Sequence, residues 1–365
     1  MTRLRSAYFI VANTAILLWV LQTGACAVLN TYDRVVPPLL KPAMSEAIKA
    51  NYAHMAPKDL DDLLRTAREL RFRYEPVVGF MNEAARSRFV NVDVHGIRAN
   101  NATPRDLSAL QDASWFFGGS TAFGDGVADH ETIPAQIERV LGRPVVNLGV
   151  RNYSSTEENL LFNRYLRVGY RPAFAIFLDG INETCEPGLY AAEMNILVGR
   201  AQNNYIWDVG GPVTYAYSRL SRKILKLRWL APDDSDRQSL TCARDGVQNA
   251  LSTIHRRTLA ERDALCRLYE IDCRTVVQPF AGTHGRREDF KKIFLEGDGK
   301  DLRELFFHLE PGWRAAEAIF VTDALDQYER HAFIDEVHYS ADASRVIADT
   351  IAKRLNLAGA APAAP

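Results

Sequence analysis

Two stretches of this chain hold residue types that can do acid–base chemistry together. Ser120 follows Trp115-Phe116-Phe117-Gly118-Gly119, where an apolar run stops at two glycines, and Thr121-Ala122-Phe123-Gly124-Asp125 comes after it. His338 has Asp335 three residues before it. A serine hydroxyl is almost never ionised at neutral pH, so as a nucleophile it needs a base beside it. An imidazole serves when a carboxylate holds its tautomer, and residues three apart on one helical turn face the same way. The spacing predicts Ser120 as nucleophile, His338 as general base and Asp335 as its orienting partner. His54, His95, His130, His255, His284, His308 and His331 have no comparable setting and read as solvated or core histidines.

Attack on an acyl carbon builds an oxyanion, which needs donors aimed at it, each contributing roughly 10²–10³ in rate. Gly149 offers a backbone N–H with no side chain in the way, Asn182 a side-chain amide, and Ser120 its own N–H. Taken singly, Gly149 reads as a turn and Asn182 as a helix cap. Taken together, they follow Ser120 in order, each behind an apolar stretch.

Those stretches alternate with helical patterns. A strand at Ser114–Phe117 leads to Ser120, and a helix runs from Ile133 to Leu141. A strand at Pro144–Leu148 ends in Gly149, and a helix spans about Thr156–Arg167. A strand at Ala173–Leu178 ends in Asp179-Gly180-Ile181-Asn182-Glu183. Alternation of this kind argues for an α/β fold with a parallel sheet covered on both faces. Open α/β sheets keep their ligand crevices at the carboxyl ends of the strands. Further on come a long helix over about 243–269, a strand at Cys273–Val277, a helix near Trp313–Arg330 and a closing helix over about Ala341–Leu355.

Four regions result. Residues 1–30 form a membrane anchor or signal segment. Residues 31–113 form a linker with Pro37, Pro38 and Pro42, then an appendage holding an amphipathic helix at Lys58–Leu70. Residues 114–357 form the main domain, and 358–365 a disordered Ala/Pro tail. An insertion over about 183–240 breaks the alternation. It holds a helix near Tyr190–Asn203, a turn at Gly210-Gly211-Pro212 and a basic stretch over 219–228. That stretch reads as a solvated helix face, with anionic lipid or an acidic polymer as the alternative contact.

The four turns resemble the blocks of the SGNH (GDSL-type) hydrolase family. Gly118-Gly119-Ser120-Thr121 matches the serine block and Asn147-Leu148-Gly149-Val150 the glycine block. Asp179-Gly180-Ile181-Asn182-Glu183 matches the asparagine block and Asp335-Glu336-Val337-His338 the histidine block. Gly119 and Glu183 stand where many members carry aspartate. The resemblance implies a three-layer α/β/α sandwich with a flavodoxin-like parallel sheet. It also implies ester cleavage or acyl transfer without metal or organic cofactor. Membrane-anchored proteins that look like this often modify envelope polysaccharides, which points to an acylated carbohydrate, acetylated by first choice. Three readings follow: a serine esterase, an O-acyltransferase with the same triad, or a non-catalytic glycan-binding or assembly protein.

Composition sets the surroundings. A net charge of −1 gives no basic signature for nucleic acid. Arg3 and Arg5 precede an apolar run from Ala7 to about Leu29, and roughly 20 apolar residues cross a bilayer. The positive flank predicts the amino terminus inside and the rest outside the cytoplasm, periplasmic in a Gram-negative cell. An uncleaved anchor is the first reading and a signal peptide cut near Ala25-Cys26-Ala27 the second. A lipoprotein ranks third, because Thr23 fits its small-residue box poorly. If exported, Cys185, Cys242, Cys266 and Cys273 allow three pairings, with free buried thiols as the alternative.

Overall fold

The central strands of the main sheet are buried along their whole length, Ser114–Gly118 and Phe174–Asp179, as a sheet covered on both faces requires. The computed structural model describes a set of residues between Phe9 and Gly24, then 49–100, 107–185, 247–283, 299–335 and 337–357. The expected linker, most of the insertion and the tail lie outside the described residues. The chain divides into two compact units, Met1–Met44 with Val198–Ser239 and Ser45–Leu197 with Leu240–Pro365. In the first, the described residues between Phe9 and Gly24 are helical, and Phe9, Ile16, Leu17, Trp19, Val20 and Leu21 are exposed. Among the described residues no helix is long and apolar enough to cross a membrane.

The second unit opens with α1 (Pro57–Glu69), two short antiparallel pairs, β1 (Phe72–Glu75) with β2 (Gly79–Asn82), and β3 (Ala85–Arg86) with β4 (Asn91–Val92). The main alternation follows: β5 (Ser114–Gly118), a one-turn helix α2 (Ser120–Phe123), α3 (Ile133–Leu141), β6 (Val145–Asn147), α4 (Ser155–Val168) and β7 (Phe174–Asp179). It continues through α5 (Val247–Leu268), β8 (Cys273–Val277), α6 (Gly299–Ala315), β9 (Ile319–Phe320) and α7 (Ala341–Arg354). The five main strands are all parallel, in the order β6-β5-β7-β8-β9. Numbered along the sheet this is 2-1-3-4-5, the flavodoxin-like order. Right-handed crossovers then put α3 on one face and α4, α5 and α6 on the other. Helix α7 packs beside α3, completing the three layers.

Packing follows from strand alternation. On β5, Trp115 and Phe117 both meet the Phe162 ring of α4 edge-on, and Phe117 stacks on Phe177 of β7 at 4.8 Å. Phe116 joins the core that includes Ile133, Ile137, Ile347 and Ile351 of α3 and α7. A disulfide joins Cys266 at the end of α5 to Cys273 at the start of β8.

One expectation is corrected. The helix placed at Trp313–Arg330 is instead α6, Gly299–Ala315, with Pro311 inside it. Pro311-Gly312 looks like a breaker in sequence, but Trp313, fully buried, packs on His255 and Phe306 and holds the last turn in place. Glu317 then takes a positive φ of 54° and the chain passes into the edge strand β9. The stretch before residue 114 is attached to the sheet from Ser45 onward. It belongs to the same unit as the sheet, and its Arg98 is 1% exposed, bridging Val92 on one side and Asn147 on the other.

Arg98 is the centre of that attachment. Its Nε donates to Asp129 Oδ1 at 3.0 Å, and its terminal nitrogens donate to the carbonyls of Phe123, Gly124 and Val127 at 2.8, 2.6 and 2.7 Å. Asp129 in turn accepts the Asn91 N–H and Nδ2. Removing one member of a buried, fully bonded ion pair strands the other. Arg98→Ala is expected to lower unfolding stability by about 3–5 kcal/mol, read from the denaturant midpoint. Arg98→Ala combined with Asp129→Ala should cost less than the sum of the two single changes.

Candidate active site

Strand β5 ends level with β7, Gly118 pairing with Leu178, so the turns after both strands emerge at the same sheet edge. The first carries Ser120 at the start of α2 and the second carries Asn182. This is the point where the strand order reverses, the usual crevice of such sheets.

A four-residue helix satisfies almost none of its own carbonyls. Here Asn147 Nδ2 donates to Ala122 O at 3.1 Å, Arg98 takes the carbonyls of Phe123 and Gly124, and Ser120 O accepts the N–H groups of Gly124 and Asp125. The turn bearing the serine is thereby held from beneath by buried side chains of β6 and of the segment before β5.

The histidine arrives from the far end of the chain. His338 Nε2 lies 2.7 Å from Ser120 Oγ, and His338 Nδ1 lies 2.7 Å from Asp335 Oδ2. An ionised carboxylate only accepts, so Nδ1 carries the proton and Nε2 is free to accept from the serine hydroxyl. Asp335 Oδ1 also accepts the N–H groups of Val337 and His338 at 2.9 and 2.7 Å. The Asp335 side chain therefore closes back onto Val337 and His338 between the bridged pair Phe333 and Tyr339. That replaces the helical turn expected for them, and the cause is local, since an aspartate that bonds its own downstream N–H groups competes with helix.

Charge follows geometry. Partial burial works against the Asp335 carboxylate, but the hydrogen bond and charge of His338 and the two N–H groups outweigh it, holding it below its ordinary value. Burial works against the His338 imidazolium, and the hydrogen bond and charge of Asp335, with Asp125 adding to them, outweigh that and push it upward.

Of the three expected oxyanion donors, two keep an unclaimed N–H among the described residues. Among the described residues no acceptor takes the Ser120 N–H. Asn182 Nδ2 gives one proton to Tyr153 O at 2.6 Å and keeps the other. Gly149 differs from expectation, because its N–H donates to Asn147 Oδ1 at 3.0 Å. Its role here is spatial: a Cβ at Gly149 would lie 2.3 Å from Phe123 N, inside the backbone of α2. Gly119, where many members of the resembling family carry aspartate, is explained the same way. A Cβ there would fall 2.0 Å from Asn182 Nδ2.

A buried polar cluster fixes the Asn182 loop. Glu183 accepts the N–H groups of Gly180 and Ser155 at 2.5 and 2.9 Å and the Ser155 hydroxyl at 3.0 Å. Asp179 accepts Arg262 Nη1 at 2.9 Å, and Glu158 accepts Arg262 Nη2 at 3.3 Å. Glu158, Asp179 and Glu183 bring one oxygen each within 4.8 Å of one another, and the guanidinium of Arg262 is the cation that Glu158 and Asp179 share. Burial first, then the Asp179 charge, pushes the Glu158 carboxyl well above its ordinary value. Sequence reasoning passed over Arg98, Asn147, Tyr153, Arg262 and this cluster. Only the capping box Ser154-x-x-Glu157, at the start of α4, carried a readable signal.

No family model and no curated protein sequence matches the chain. Similar solved structures include LAE5, an α/β hydrolase from the metagenome of Lake Arreo, at 12% identity over 69% of this chain and 98% of that one, TM-score 0.38. A member of the lipolytic G-D-S-L family from Veillonella parvula has 12% identity, covering 67% and 98%, TM-score 0.38. A carbohydrate acetylesterase family member from Sinorhizobium meliloti has 12% identity, covering 68% and 100%, TM-score 0.35. At such distances the chemistry rests on the geometry above.

Two outcomes are expected for any ester this site cleaves. Gly119→Ala should lower kcat by roughly 10²–10³, as Asn182→Ala does, and the double variant should be no slower than either, because both changes remove one donor. The base works as neutral imidazole, so kcat/KM should rise with pH through a raised His338 value. Its acidic limb should therefore lie above the ordinary histidine value of about 6.5.

Proposed function

We propose that this chain is a serine esterase that removes acyl groups, acetyl first, from a carbohydrate outside the cytoplasm. The observation that carries the reading is the continuous hydrogen-bond chain Ser120–His338–Asp335, set at the sheet's switch point. Ser120 Oγ attacks the ester carbonyl while its proton passes to His338 Nε2. The Ser120 N–H and the free Asn182 amide proton receive the oxyanion. As the tetrahedral intermediate collapses, Nε2–H protonates the departing alkoxide and an acyl-Ser120 remains. Water then gives a proton to Nε2, attacks the acyl carbon, and the carboxylic acid leaves with Ser120 restored.

The carbohydrate assignment follows from the family resemblance of the four ordered blocks. Two features support placement outside the cytoplasm. Cys266–Cys273 is a disulfide, a bond that persists in oxidising compartments. The described helical residues between Phe9 and Gly24 expose Phe9, Ile16, Leu17, Trp19, Val20 and Leu21, which suits an amino-terminal anchor in lipid. The anchor is proposed on that pattern together with the preceding Arg3 and Arg5.

A serine-directed fluorophosphonate should label the protein, and Ser120→Ala should abolish labelling. Persisting labelling in that variant removes Ser120 from its role. Asp335→Asn should lower kcat by about 10⁴ through the wrong tautomer, with KM little changed. Equal losses in both parameters would argue for a structural role alone.

A further inference from the structure

Asp125 stands on the opposite side of the catalytic imidazole from Asp335. Its Oδ2 lies 3.9 Å from His338 Nε2, too far for a hydrogen bond, and its side chain is 20% exposed beside a histidine that is 21% exposed. Among the described residues no hydrogen bond reaches either carboxylate oxygen, and Oδ1 is buried without a partner. Two arginines face it, and both are committed elsewhere. Arg98 is bound to Asp129 and three carbonyls, and Arg151 donates to Ala67 O and Leu70 O at 3.1 and 2.5 Å. The Asp125 backbone N–H is tied to Ser120 O at 3.0 Å, so the carboxylate is held at a fixed place relative to the nucleophile. An acceptor this poorly satisfied, at the mouth of a site, is an acceptor waiting for a donor.

The reaction says where that donor comes from. His338 Nε2 hands its proton to the leaving alcohol oxygen, which must lie within about 2.6–3.2 Å of it. Asp125 Oδ2, 3.9 Å from the same nitrogen, lies just beyond that position. A hydroxyl on the carbon next to the leaving oxygen falls within hydrogen-bond reach of it. We propose that Asp125 is a specificity-determining residue that accepts a hydrogen bond from a hydroxyl vicinal to the scissile ester. The substrate class is then a monoacylated vicinal diol, the arrangement found in a partly acylated sugar ring. This rests on the esterase reading and names its alcohol side.

The test compares two acetate esters with the same acyl group and leaving groups of similar acidity, 2-hydroxyethyl acetate and 2-methoxyethyl acetate. Only the first can donate a hydrogen bond. The wild-type protein is expected to favour the hydroxy ester by about tenfold in kcat/KM, the scale of a hydrogen bond to a charged acceptor. In Asp125→Ala that ratio should fall to near one, whatever the absolute rates, with fluorophosphonate labelling of Ser120 reporting an intact site. Should Asp125→Ala fold poorly, Asp125→Asn supplies the same ratio, expected to drop at least about threefold because the acceptor loses its charge. A wild-type ratio near one, or a preference that survives in both variants, overturns the assignment while leaving the esterase standing. Absence of hydrolysis of either ester, with Ser120 unlabelled, overturns the esterase reading and this inference together.

Discussion

A one-turn helix does not hold itself together, because its nucleus costs more than its single hydrogen bond returns. Ser120 sits on such a helix, Ser120–Phe123. Everything around the site answers to that constraint. Arg98 and Asn147 accept the task of satisfying its carbonyls, and Asn82 Nδ2 donates to Gly149 O at 3.1 Å to hold the next turn against it. Gly149 lies so close to the Phe123 N–H that no side chain fits between them. Arg98 and Asn82 come from the stretch before β5, which is why that stretch is part of the site's support rather than an addition to it.

The second constraint is electrostatic. The loop carrying Asn182 sits over Asp179, Glu183 and Glu158, all buried, with Arg262 as the guanidinium that joins Asp179 and Glu158. Carboxylates outnumber the cation, and burial with the Asp179 charge pushes the Glu158 carboxyl well above its ordinary value. The cluster gives Glu183 a function that aspartate would reach less easily: its longer side chain spans from Gly180 N–H to Ser155. Glu183 and Gly119 are therefore local solutions to one problem, placing the Asn182 amide beside the turn that carries Ser120.

Much of the main domain was legible in the sequence because its signals are local. Ile133–Leu141 and Cys273–Val277 have the bounds expected of them, and the alternation of strands and helices was enough to call for a parallel sheet. Ser120, Asp335 and His338 were legible as types at a spacing, and the structure brings the three together within hydrogen-bond distance. What was not legible is what depends on contacts far apart in the chain. Arg98 meets Asp129 across 31 positions and Arg262 meets Asp179 across 83, and no periodicity announces either. Asp335 and His338 misled as a helical turn because the i, i+3 spacing is shared by helices and by side-chain-closed turns. The helix expected near Trp313–Arg330 runs instead over Gly299–Ala315, because the burial of Trp313, and not a local signal, decides which turns are helical.

The central claim is that Ser120 carries the acyl group between attack and release. The most direct measurement is intact-mass and peptide analysis of the protein quenched in acid during turnover of an activated acetate ester. The account predicts a species heavier by one acetyl group, with the modification on the peptide containing Ser120 and absent in Ser120→Ala. Acetyl found on another residue, or the same adduct in Ser120→Ala, would contradict it.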